Sequence, residues 1–478
     1  MAQNPFEEVR VGHWIGGSLV GAGTQAPSFN PATDEVLGSF SDADESVAAD
    51  AIVAANEAAQ STPWRSDRQA RARALWDLAD ALEANLEQVA TAVTLENGKP
   101  LREARFELSI AAPKLRYFAG LALVDHGSAV TMANGDTSML LREPAGVAGI
   151  IVPWNSPTIL AIRSLAPALA AGCTAAIKMP AQTALTNSLV ASIFASVPSL
   201  PPGVVNMFTE SGDAGAKLLV AHDDVDVVSY TGSTAVGARI ASAAGAKLKR
   251  VSLELGGKTP MIVFDDADLD QVVPVLTAAV TTFAGQFCMT GSRVLAQAGI
   301  ADALRDRLVR SLGSVRLGPG IDDSNDMGPL IDHASVRRVD AIVAGADDIA
   351  LRGGPTEGPG AFFAPALLNV TDLDSSLIQD EIFGPVATFE VFEDEDDAVR
   401  RANATQYGLS ASIWTRDGAR SLRVSQRIDA GTVWTNAWAQ IFDQFEEGGY
   451  KRSGIGRLNG PGGLAEFQEV KHVFRTVS

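Results

Sequence analysis

The sequence predicts an α/β fold built on parallel sheet, and three observations support this. From Gly146 onward, short apolar runs alternate with segments of helical periodicity, which is typical of βαβ units. A second block of the same kind begins at Met261. The length of 478 residues predicts two or three domains, with enough chain to bury large cores.

An amphipathic helix is the first element predicted. Apolar residues recur there at steps of three and four, with charged residues between them: Leu75, Leu78, Leu82, Leu86, Val89 and Val93. We expect a helix that ends near Asn97-Gly98, before Pro100.

The alternating region then predicts strands and helices in turn. The predicted order is strand 147–152, helix 157–171, strand 174–178, a helix after Gln182, and strands 204–208 and 227–230. Ligands bind at the carboxyl ends of the strands in sheets of this kind.

The second block opens with a predicted strand over 261–264. The acidic run 265–270 follows it and is expected to cap a helix N-terminus, because the helix dipole favours carboxylates there. Residues 312–360 are rich in Gly, Pro and Asp, which predicts long surface loops.

Composition excludes several classes of function. Apolar residues at 46% and charged residues at 20% are ordinary for a soluble globular protein, and a net charge of −19 argues against a large nucleic-acid-binding face. The start of the chain, 1–14, has two glutamates and no apolar core, so no secretory signal is predicted. The longest charge-free stretch, 179–209, is interrupted by prolines, which argues against a membrane span. Two cysteines suit a reducing compartment, and we expect a cytoplasmic protein.

Cys288 lies in an uncharged run, 281–292, that Arg293 closes. A free cysteine considered alone is usually a small buried apolar residue. Common cofactor motifs do not explain the run. Residues 255–259 resemble the end of a P-loop, but Ser252 stands where that loop needs glycine. No G-x-G-x-x-G motif occurs, and no His or Cys cluster has metal-ligand spacing, so no metal is predicted.

Four stretches carry the functional prediction, and each is expected at the end of a strand: 153–157, 177–180, 252–258 and the stretch around Cys288. Asn155, Lys178, Glu254 and Cys288 follow one another at intervals of 23, 76 and 34 residues. With the later pieces 380–385, 431–436 and 448–454, this order closely resembles the aldehyde dehydrogenase superfamily from about residue 25 onward.

The resemblance implies three structural parts. These are a parallel-sheet cofactor domain of residues 1–122 and 145–256, an α/β catalytic domain of residues 257–448, and a small β oligomerisation arm of residues 123–144 and 461–478. It also implies a homodimer or homotetramer. Asn134-Gly135 predicts the turn of a hairpin over 128–141 that pairs across subunits.

The resemblance implies an NAD(P)-dependent oxidation of an aldehyde to the acid. Cys288 resembles the nucleophile that forms a thiohemiacetal and then a thioester. An apolar setting alone would raise the thiol pKa, so polar backbone groups or the nicotinamide are expected to help form the thiolate. Asn155 resembles the oxyanion donor, acting with the backbone N–H of Cys288. Glu254 resembles the base that activates water, and its two leucine neighbours are expected to raise its pKa by desolvation.

Cofactor residues are also implied by the resemblance. Residues 229–237 resemble the nucleotide turn of the family, and the set is Trp154, Lys178, Ala181, Gly232, Ser233, Gly237, Glu381 and Phe383. Gly232 allows close approach of the backbone, and Ser233 with a helix N-terminus would receive the pyrophosphate. Lys178 is matched to the adenosine ribose, and Glu381 and Phe383 to the nicotinamide ribose and ring. Ala181 replaces a glutamate of many NAD-preferring members. The loss of that carboxylate removes repulsion of a 2′-phosphate, so NADP is expected to be tolerated beside NAD.

Seven positions match those that often line the substrate tunnel: Ser156, Leu160, Arg163, Phe287, Met289, Ile441 and Glu447. The run 160–167 resembles the branch that acts on aromatic aldehydes, which favours an aromatic or medium apolar aldehyde. Arg163 has three interpretations at this point. It holds a substrate carboxylate as in semialdehyde-oxidising relatives, it pairs with Glu447, or it is an ordinary helix residue.

Rival functions stay open on the sequence. A coenzyme-A-acylating dehydrogenase would share Cys288 but typically would not need a base such as Glu254. A thiol hydrolase would need a histidine partner, and none lies near Cys288 in sequence. A non-catalytic homologue is disfavoured because both Cys288 and Glu254 are retained.

Overall fold

The structure is a computed structural model that describes residues 5–6 and 11–476. The prediction about the N-terminal segment 1–14 falls largely on residues outside the described part. The predicted α/β class is confirmed, since two large and mainly parallel sheets are flanked by helices.

Sixteen α-helices occur in the described residues. They are α1 Glu45–Ser61, α2 Arg68–Ala84, α3 Leu86–Asn97, α4 Leu101–Ser109, α5 Ala111–Val124, α6 Pro157–Ala171, α7 Ala184–Ala195, α8 Ala214–Ala221, α9 Thr234–Gly245, α10 Leu269–Thr281, α11 Ala301–Gly313, α12 His333–Ala344, α13 Ser376–Gln379, α14 Glu395–Ala402, α15 Gly418–Ser425 and α16 Gly460–Ala465. None of the described helices is long and apolar enough to cross a bilayer.

The same part of the chain contains 24 strands. They are β1 His13–Ile15, β2 Ser18–Val20, β3 Thr24–Phe29, β4 Val36–Asp42, β5 Ser128–Thr131, β6 Thr137–Pro144, β7 Val147–Ile151, β8 Thr174–Pro180, β9 Val205–Glu210, β10 Val227–Thr231, β11 Arg250–Glu254, β12 Pro260–Val263, β13 Arg293–Gln297, β14 Ile349–Leu351, β15 Gly354–Pro355, β16 Phe363–Ala364, β17 Ala366–Asn369, β18 Val386–Phe392, β19 Tyr407–Gly408, β20 Ser410–Trp414, β21 Thr432–Thr435, β22 Tyr450–Lys451, β23 Gly454–Ile455 and β24 Gln468–Arg475.

The first large sheet has the order β2-β1-β9-β8-β7-β10-β11-β23, and its five central strands are parallel. These strands read as nearly unbroken apolar runs because helices cover both faces of the sheet. The predicted strands 147–152, 174–178, 204–208 and 227–230 are confirmed as β7 to β10. Their carboxyl ends meet at one edge.

The second large sheet has the order β14-β17-β18-β13-β12-β20-β21 and is parallel except for the β14–β17 pair. Its helix α10 begins after the acidic run, and Asp268 accepts the N–H of Asp270 at 3.0 Å. This confirms that the run caps a helix.

The hairpin predicted at Asn134-Gly135 forms as β5 and β6. Strand β24 from the C-terminal end pairs antiparallel with β6 over eight residues, from Gln468 with Pro144 to Arg475 with Thr137. The result is a separate three-stranded sheet made of chain segments more than 300 residues apart.

Three details of the prediction are wrong. The amphipathic segment is two helices rather than one, because Asn85 leaves the helical conformation and its side chain donates to the Ala81 carbonyl. The segment 312–360 contains α12, which Asp332 caps and whose Val336, Val339 and Val343 face a core. The stretch around Cys288 lies between α10 and β13, so it precedes a strand instead of following one.

Candidate active site

Neighbouring strands of the first sheet bring several predicted residues to one edge. Lys178 lies near the end of β8, Asn155 follows β7, and Glu254 is the last residue of β11. Gly232 follows β10, between β7 and β11, and donates its N–H to the Glu254 carbonyl at 3.0 Å. The parallel topology therefore places residues from four sequence stretches side by side.

The loop that carries Cys288 has an unusual backbone. Phe283, Ala284 and Gly285 all have positive φ, at 53°, 52° and 70°. Side chains bear this conformation only at an energetic cost, which the surroundings must hold in place. The Phe283 N–H donates to Glu103 at 3.0 Å, and the Gln286 side chain accepts the N–H of Ile331 at 2.9 Å.

Asn155 touches the same loop. It is buried, and its side-chain amide donates to the Gln286 carbonyl at 3.0 Å, two residues before Cys288. Since an amide group carries two N–H bonds, one donor is left for a developing oxyanion. The geometry thus couples the predicted oxyanion donor to the loop of the predicted nucleophile.

A buried ion pair contacts the backbone of Asn155. The Lys99 ammonium contacts Glu107 at 2.8 Å and donates to the Asn155 carbonyl at 2.6 Å and the Ser156 hydroxyl at 3.2 Å. Glu107 also accepts the N–H of Thr158 at 3.1 Å, at the start of α6. Ser156 is therefore buried in this cluster and engaged with Lys99.

Burial strongly shifts the titration of the two reactive side chains. It raises the pKa of the Cys288 thiol to about 12, and Arg163 is the main group acting in the opposite direction. It raises the pKa of the Glu254 carboxyl to about 8, and Arg163 again opposes the shift. One Glu254 oxygen is buried without a hydrogen-bond partner. The raised pKa of Glu254 fits the desolvation that its leucine neighbours predicted.

The nucleotide turn is closely packed at its two glycines. A Cβ at Gly232 would lie 2.2 Å from the Tyr230 hydroxyl, and one at Gly237 would lie 2.4 Å from Leu255. Ser233 is exposed and caps α9, accepting the N–H of Val236 at 3.4 Å. Packing against Tyr230 therefore requires glycine at 232, and the N-terminus of α9 is available to an anion.

The end of β8 differs from the sequence-based picture in one respect. Ala181 lies just beyond β8 and is partly buried. Glu210, however, ends the neighbouring strand β9 and pairs with Pro180. Burial lowers the pKa of the Lys178 ammonium, and Glu210 is the first of three carboxylates that oppose this. Glu210 itself accepts the N–H of Gly215 at 2.7 Å. A carboxylate therefore remains near Lys178 despite the alanine at 181.

The remaining cofactor residues cluster together. Glu381 accepts the Gly257 N–H at 3.2 Å, and burial raises the pKa of its carboxyl to about 7. Phe383 has a φ of 51° and packs edge-to-face on Trp154, with ring centroids 5.6 Å apart. The glycine turn, the α9 N-terminus and this carboxylate–aromatic group together fit a dinucleotide.

Aromatic rings pack together at the loop of Cys288. Phe287 packs edge-to-face with Phe283 and with Trp438, at 5.5 and 6.0 Å between centroids. The Trp438 indole donates to the Met289 carbonyl at 2.9 Å, while the Met289 side chain is buried against Leu409 and Trp434. Trp438 was missed by the sequence reasoning.

The other predicted substrate residues lie in different settings. Leu160 is partly buried and packs against the core of the first sheet, whereas Ile441 is 41% exposed. Arg163 and Glu447 are both buried and form an ion pair at 3.2 Å. Of the three interpretations of Arg163, the structure shows the pairing with Glu447.

Several residues at the site carried a sequence signal that was not used. Lys99 lies in Asn97-Gly98-Lys99-Pro100, where a helix must stop, and Glu103 and Glu107 are four residues apart on α4. The described residues contain no group of three or more His, Cys, Asp or Glu side chains that could hold a metal ion.

Comparison with known proteins gives the family. Residues 20–473 match the model of the aldehyde dehydrogenase family. Betaine aldehyde dehydrogenase of Bacillus subtilis is 36% identical over 93% of each chain, and cytosolic aldehyde dehydrogenase 1 of Rattus norvegicus is 39% identical over 95% of this chain and 92% of its own. Betaine aldehyde dehydrogenase of Staphylococcus aureus, solved with NAD+, has a TM-score of 0.95 at 33% identity and covers 98% of this chain and 95% of its own. A second structure of that enzyme, a point mutant with NAD+, contains a BME-modified cysteine. By its sequence, its fold and the arrangement of this site, the chain belongs to the aldehyde dehydrogenase family.

Proposed function

We propose that this NAD(P)-dependent aldehyde dehydrogenase oxidises an aromatic or medium apolar aldehyde to the carboxylic acid through a covalent adduct on Cys288. The observation that carries the proposal is the grouping of Cys288, Asn155 and Glu254, a nucleophile, an amide donor and a buried base. Each has a geometry that suits one step of the chemistry.

Cys288 acts in the first step. Its thiolate adds to the carbonyl carbon and forms a thiohemiacetal oxyanion, which the free N–H of Asn155 and the Cys288 backbone N–H stabilise. Because burial raises the pKa of this thiol to about 12, the thiol is protonated in the resting protein. The thiolate therefore has to form as substrate and cofactor bind, with Arg163 favouring the charged form.

The cofactor supplies the acceptor for the hydride lost from the adduct carbon, which leaves a thioester on Cys288. Gly232, Ser233 and the α9 N-terminus would hold its pyrophosphate, and Glu381 with Phe383 its nicotinamide end. Lys178 and Ala181 would face the adenosine ribose.

Glu254 completes the reaction. Its carboxylate removes a proton from water, the hydroxide attacks the thioester carbonyl, and the C–S bond breaks to release acid and the Cys288 thiolate. The pKa of about 8 suits a base that works near neutral pH. A buried base at this position supports hydrolysis over transfer to coenzyme A.

The substrate class is inferred from the walls near Cys288. The rings of Phe287, Phe283 and Trp438 pack edge-to-face there, which favours an apolar or aromatic substrate. Arg163 is already neutralised by Glu447, so a substrate carboxylate would have to displace a buried partner. The semialdehyde alternative is therefore disfavoured.

A panel of aldehydes assayed by absorbance of reduced nicotinamide tests this proposal. Benzaldehyde and a medium-chain aldehyde should give the largest kcat/KM, ahead of betaine aldehyde and succinic semialdehyde. Product analysis with and without coenzyme A should find free acid in both. A product thioester, or the best efficiency with a charged aldehyde, would contradict the assignment.

Assembly, domains and location are part of the same proposal. The exposed apolar residues Val130, Leu140, Leu141, Val470 and Phe474 on the three-stranded sheet support an oligomerisation arm of 123–144 and 461–478 in a homodimer or homotetramer. The two large sheets support a cofactor domain of 1–122 and 145–256 and a catalytic domain of 257–448. The likeness to a cytosolic enzyme supports a cytoplasmic location.

A further inference from the structure

A chain of buried polar groups begins beside the proposed catalytic residues, and Arg163 lies at the end nearest to them. One guanidinium nitrogen contacts Glu447 at 3.2 Å, and another donates to the Thr231 hydroxyl at 3.0 Å. Thr231 is the last residue of β10 and pairs with Glu254 across the sheet. The guanidinium therefore contacts the residue beside the predicted base.

The chain continues away from the site through three segments of sequence. The second Glu447 oxygen accepts the Asn459 amide N–H at 3.1 Å. Asn459 in turn accepts a hydrogen bond from Lys114, which also contacts Asp443. Two cations and two anions are thus joined in series, and all but Asp443 are buried.

Stability alone does not account for this arrangement. Taking charges out of water is costly, and a buried ion pair can often be replaced by apolar residues at little or no loss of stability. In addition, Arg163 Nε and one oxygen of Glu254 are buried without hydrogen-bond partners. Two unused polar atoms on neighbouring residues of a reaction site are expected where turnover, rather than stability, has set the sequence.

Other charges also face the two reactive groups. Glu254 is influenced by Arg163, Glu447, Arg457 and Glu466, and Cys288 by Arg163, Glu447, Glu381 and Glu254. Arg163 and Glu447 are the two charges common to both sets, and they act with opposite sign on each.

We propose that Arg163 and Glu447 are positioning residues that work as an opposed pair, in which Arg163 favours the Cys288 thiolate and the Glu254 carboxylate while Glu447 limits that influence. The inference rests on the proposed roles of Cys288 and Glu254. It assigns Arg163 to the control of charge at the site instead of to a substrate carboxylate.

The test compares two variants that remove opposite charges. Arg163→Gln should slow alkylation of Cys288 by iodoacetamide at pH 8 by about threefold or more, because less thiolate is present. Glu447→Gln should speed it by a similar factor. Cys173 is fully buried and should not react. The midpoint of the alkaline rise in steady-state rate should move upward in the first variant and downward in the second.

The controls separate charge from folding. Arg163→Lys keeps the charge and should restore most of the alkylation rate. Arg307→Gln removes an exposed ion pair with Asp270 and should change neither readout. Thermal unfolding followed by circular dichroism shows whether each variant is folded, and Arg163→Met and Glu447→Leu, which also remove the charge, take the place of any variant that is not.

Shifts in the same direction for both variants, or no shift in either, would overturn the proposal and leave the pair a structural one. That outcome is distinct from failure of the proposed function, which would appear as full activity after substitution of Cys288. The alkylation readout needs no turnover, so the two results are independent.

Discussion

The cofactor-facing half and the substrate-facing half of the site are built in different ways. The first is made mainly from neighbouring strand ends of one parallel sheet, which carry Asn155, Lys178 and Gly232. Only Glu381 and Phe383 join it from the segment before β18 of the second sheet. The second joins segments far apart in sequence: Phe287 packs on Trp438, and Arg163 pairs with Glu447, 284 positions further along the chain. Regular sheet topology therefore positions most of the cofactor-facing residues, whereas the substrate-facing residues depend on long-range side-chain contacts.

The largest effect is expected at the loop of Cys288, which lies between the cofactor-facing and substrate-facing halves. Cys288→Ala removes the proposed nucleophile, so we expect turnover to fall by roughly 10⁴-fold or more. Initial rates of reduced-nicotinamide formation measure this. The matched control is Cys173→Ala, which removes a thiol buried in the first sheet's core and should leave kcat unchanged. Comparable activity in the two variants would refute the role of Cys288.

On the cofactor-facing side, Glu254→Gln separates the two halves of the reaction. We expect steady-state turnover to fall by about 10²-fold or more, while a single-turnover burst of reduced nicotinamide persists, since only thioester hydrolysis needs the base. The wild-type rate should rise with pH through about 8, because the raised pKa keeps Glu254 protonated below that value. The variant should lack this rise. Loss of the burst as well would show that Glu254 acts before the thioester forms.

Folding stability gives an independent readout of the same carboxyl. Burial raises the pKa of Glu254 to about 8 in the folded protein, from an ordinary value of 4.5. Between these values the folded state keeps a proton that the unfolded chain has lost, so the free energy of unfolding decreases as pH rises. The melting temperature of Glu254→Gln, measured relative to that of the wild type, should therefore increase as pH is raised from 5 to 8.

Asn155→Ala should lower kcat by about 10²- to 10³-fold, since an oxyanion donor contributes about 3–4 kcal/mol. The KM of the aldehyde should change much less, because the interaction is made with the charged adduct. Steady-state kinetics at saturating cofactor measure both constants. An equal loss of alkylation by iodoacetamide would indicate instead that the substitution disturbs the Cys288 loop through the lost bond to Gln286.

The same contrast explains what could be predicted from sequence. Strands β7 to β10 and the positions of Asn155, Glu254 and Gly232 followed from local apolar runs and short motifs, because a parallel sheet brings successive strand ends together. The contacts that hold Asn155 could not be predicted. Lys99 donates to the Asn155 carbonyl and pairs with Glu107, and this arrangement depends on how α4 packs against the start of α6. For the same reason, the sequence leaves three alternatives open for Arg163.

Errors in the fold have equally local causes. The apolar pattern continues across Asn85 in the sequence, but the helix is interrupted there. The Asn85 side chain donates a hydrogen bond to the Ala81 carbonyl in the preceding turn. In the segment 312–360, the high content of Gly and Pro predicts loops. The three valines of α12 nevertheless lie at helical spacing and form a helix. The average composition of 312–360 therefore gives no indication of the short helix α12 within it.

A prediction for the substrate-facing half concerns Trp438. Trp438→Ala removes the ring against Phe287 and the hydrogen bond to the Met289 carbonyl, so kcat/KM for benzaldehyde should fall by about 30-fold. Trp438→Phe keeps the ring and should recover most of the loss. With a two-carbon aldehyde, which is too small to need this wall, the alanine variant should lose far less. A uniform loss with every aldehyde would assign Trp438 to the support of the loop alone.

The smallest expected effect lies at the cofactor end, where Ala181 and Glu210 make opposite contributions. Ala181→Glu adds a carboxylate beyond the end of β8, so we expect kcat/KM with NADP to fall by about tenfold while that with NAD is held or improved. Glu210→Gln removes the carboxylate that already lies near Lys178 and should favour NADP by about threefold. Dissociation constants from quenching of protein fluorescence should change in parallel with the efficiencies, which would place the effect in binding. If neither variant changes the ratio of the two cofactors, the adenosine ribose lies away from the ends of β8 and β9, and the match of Lys178 to that ribose is wrong.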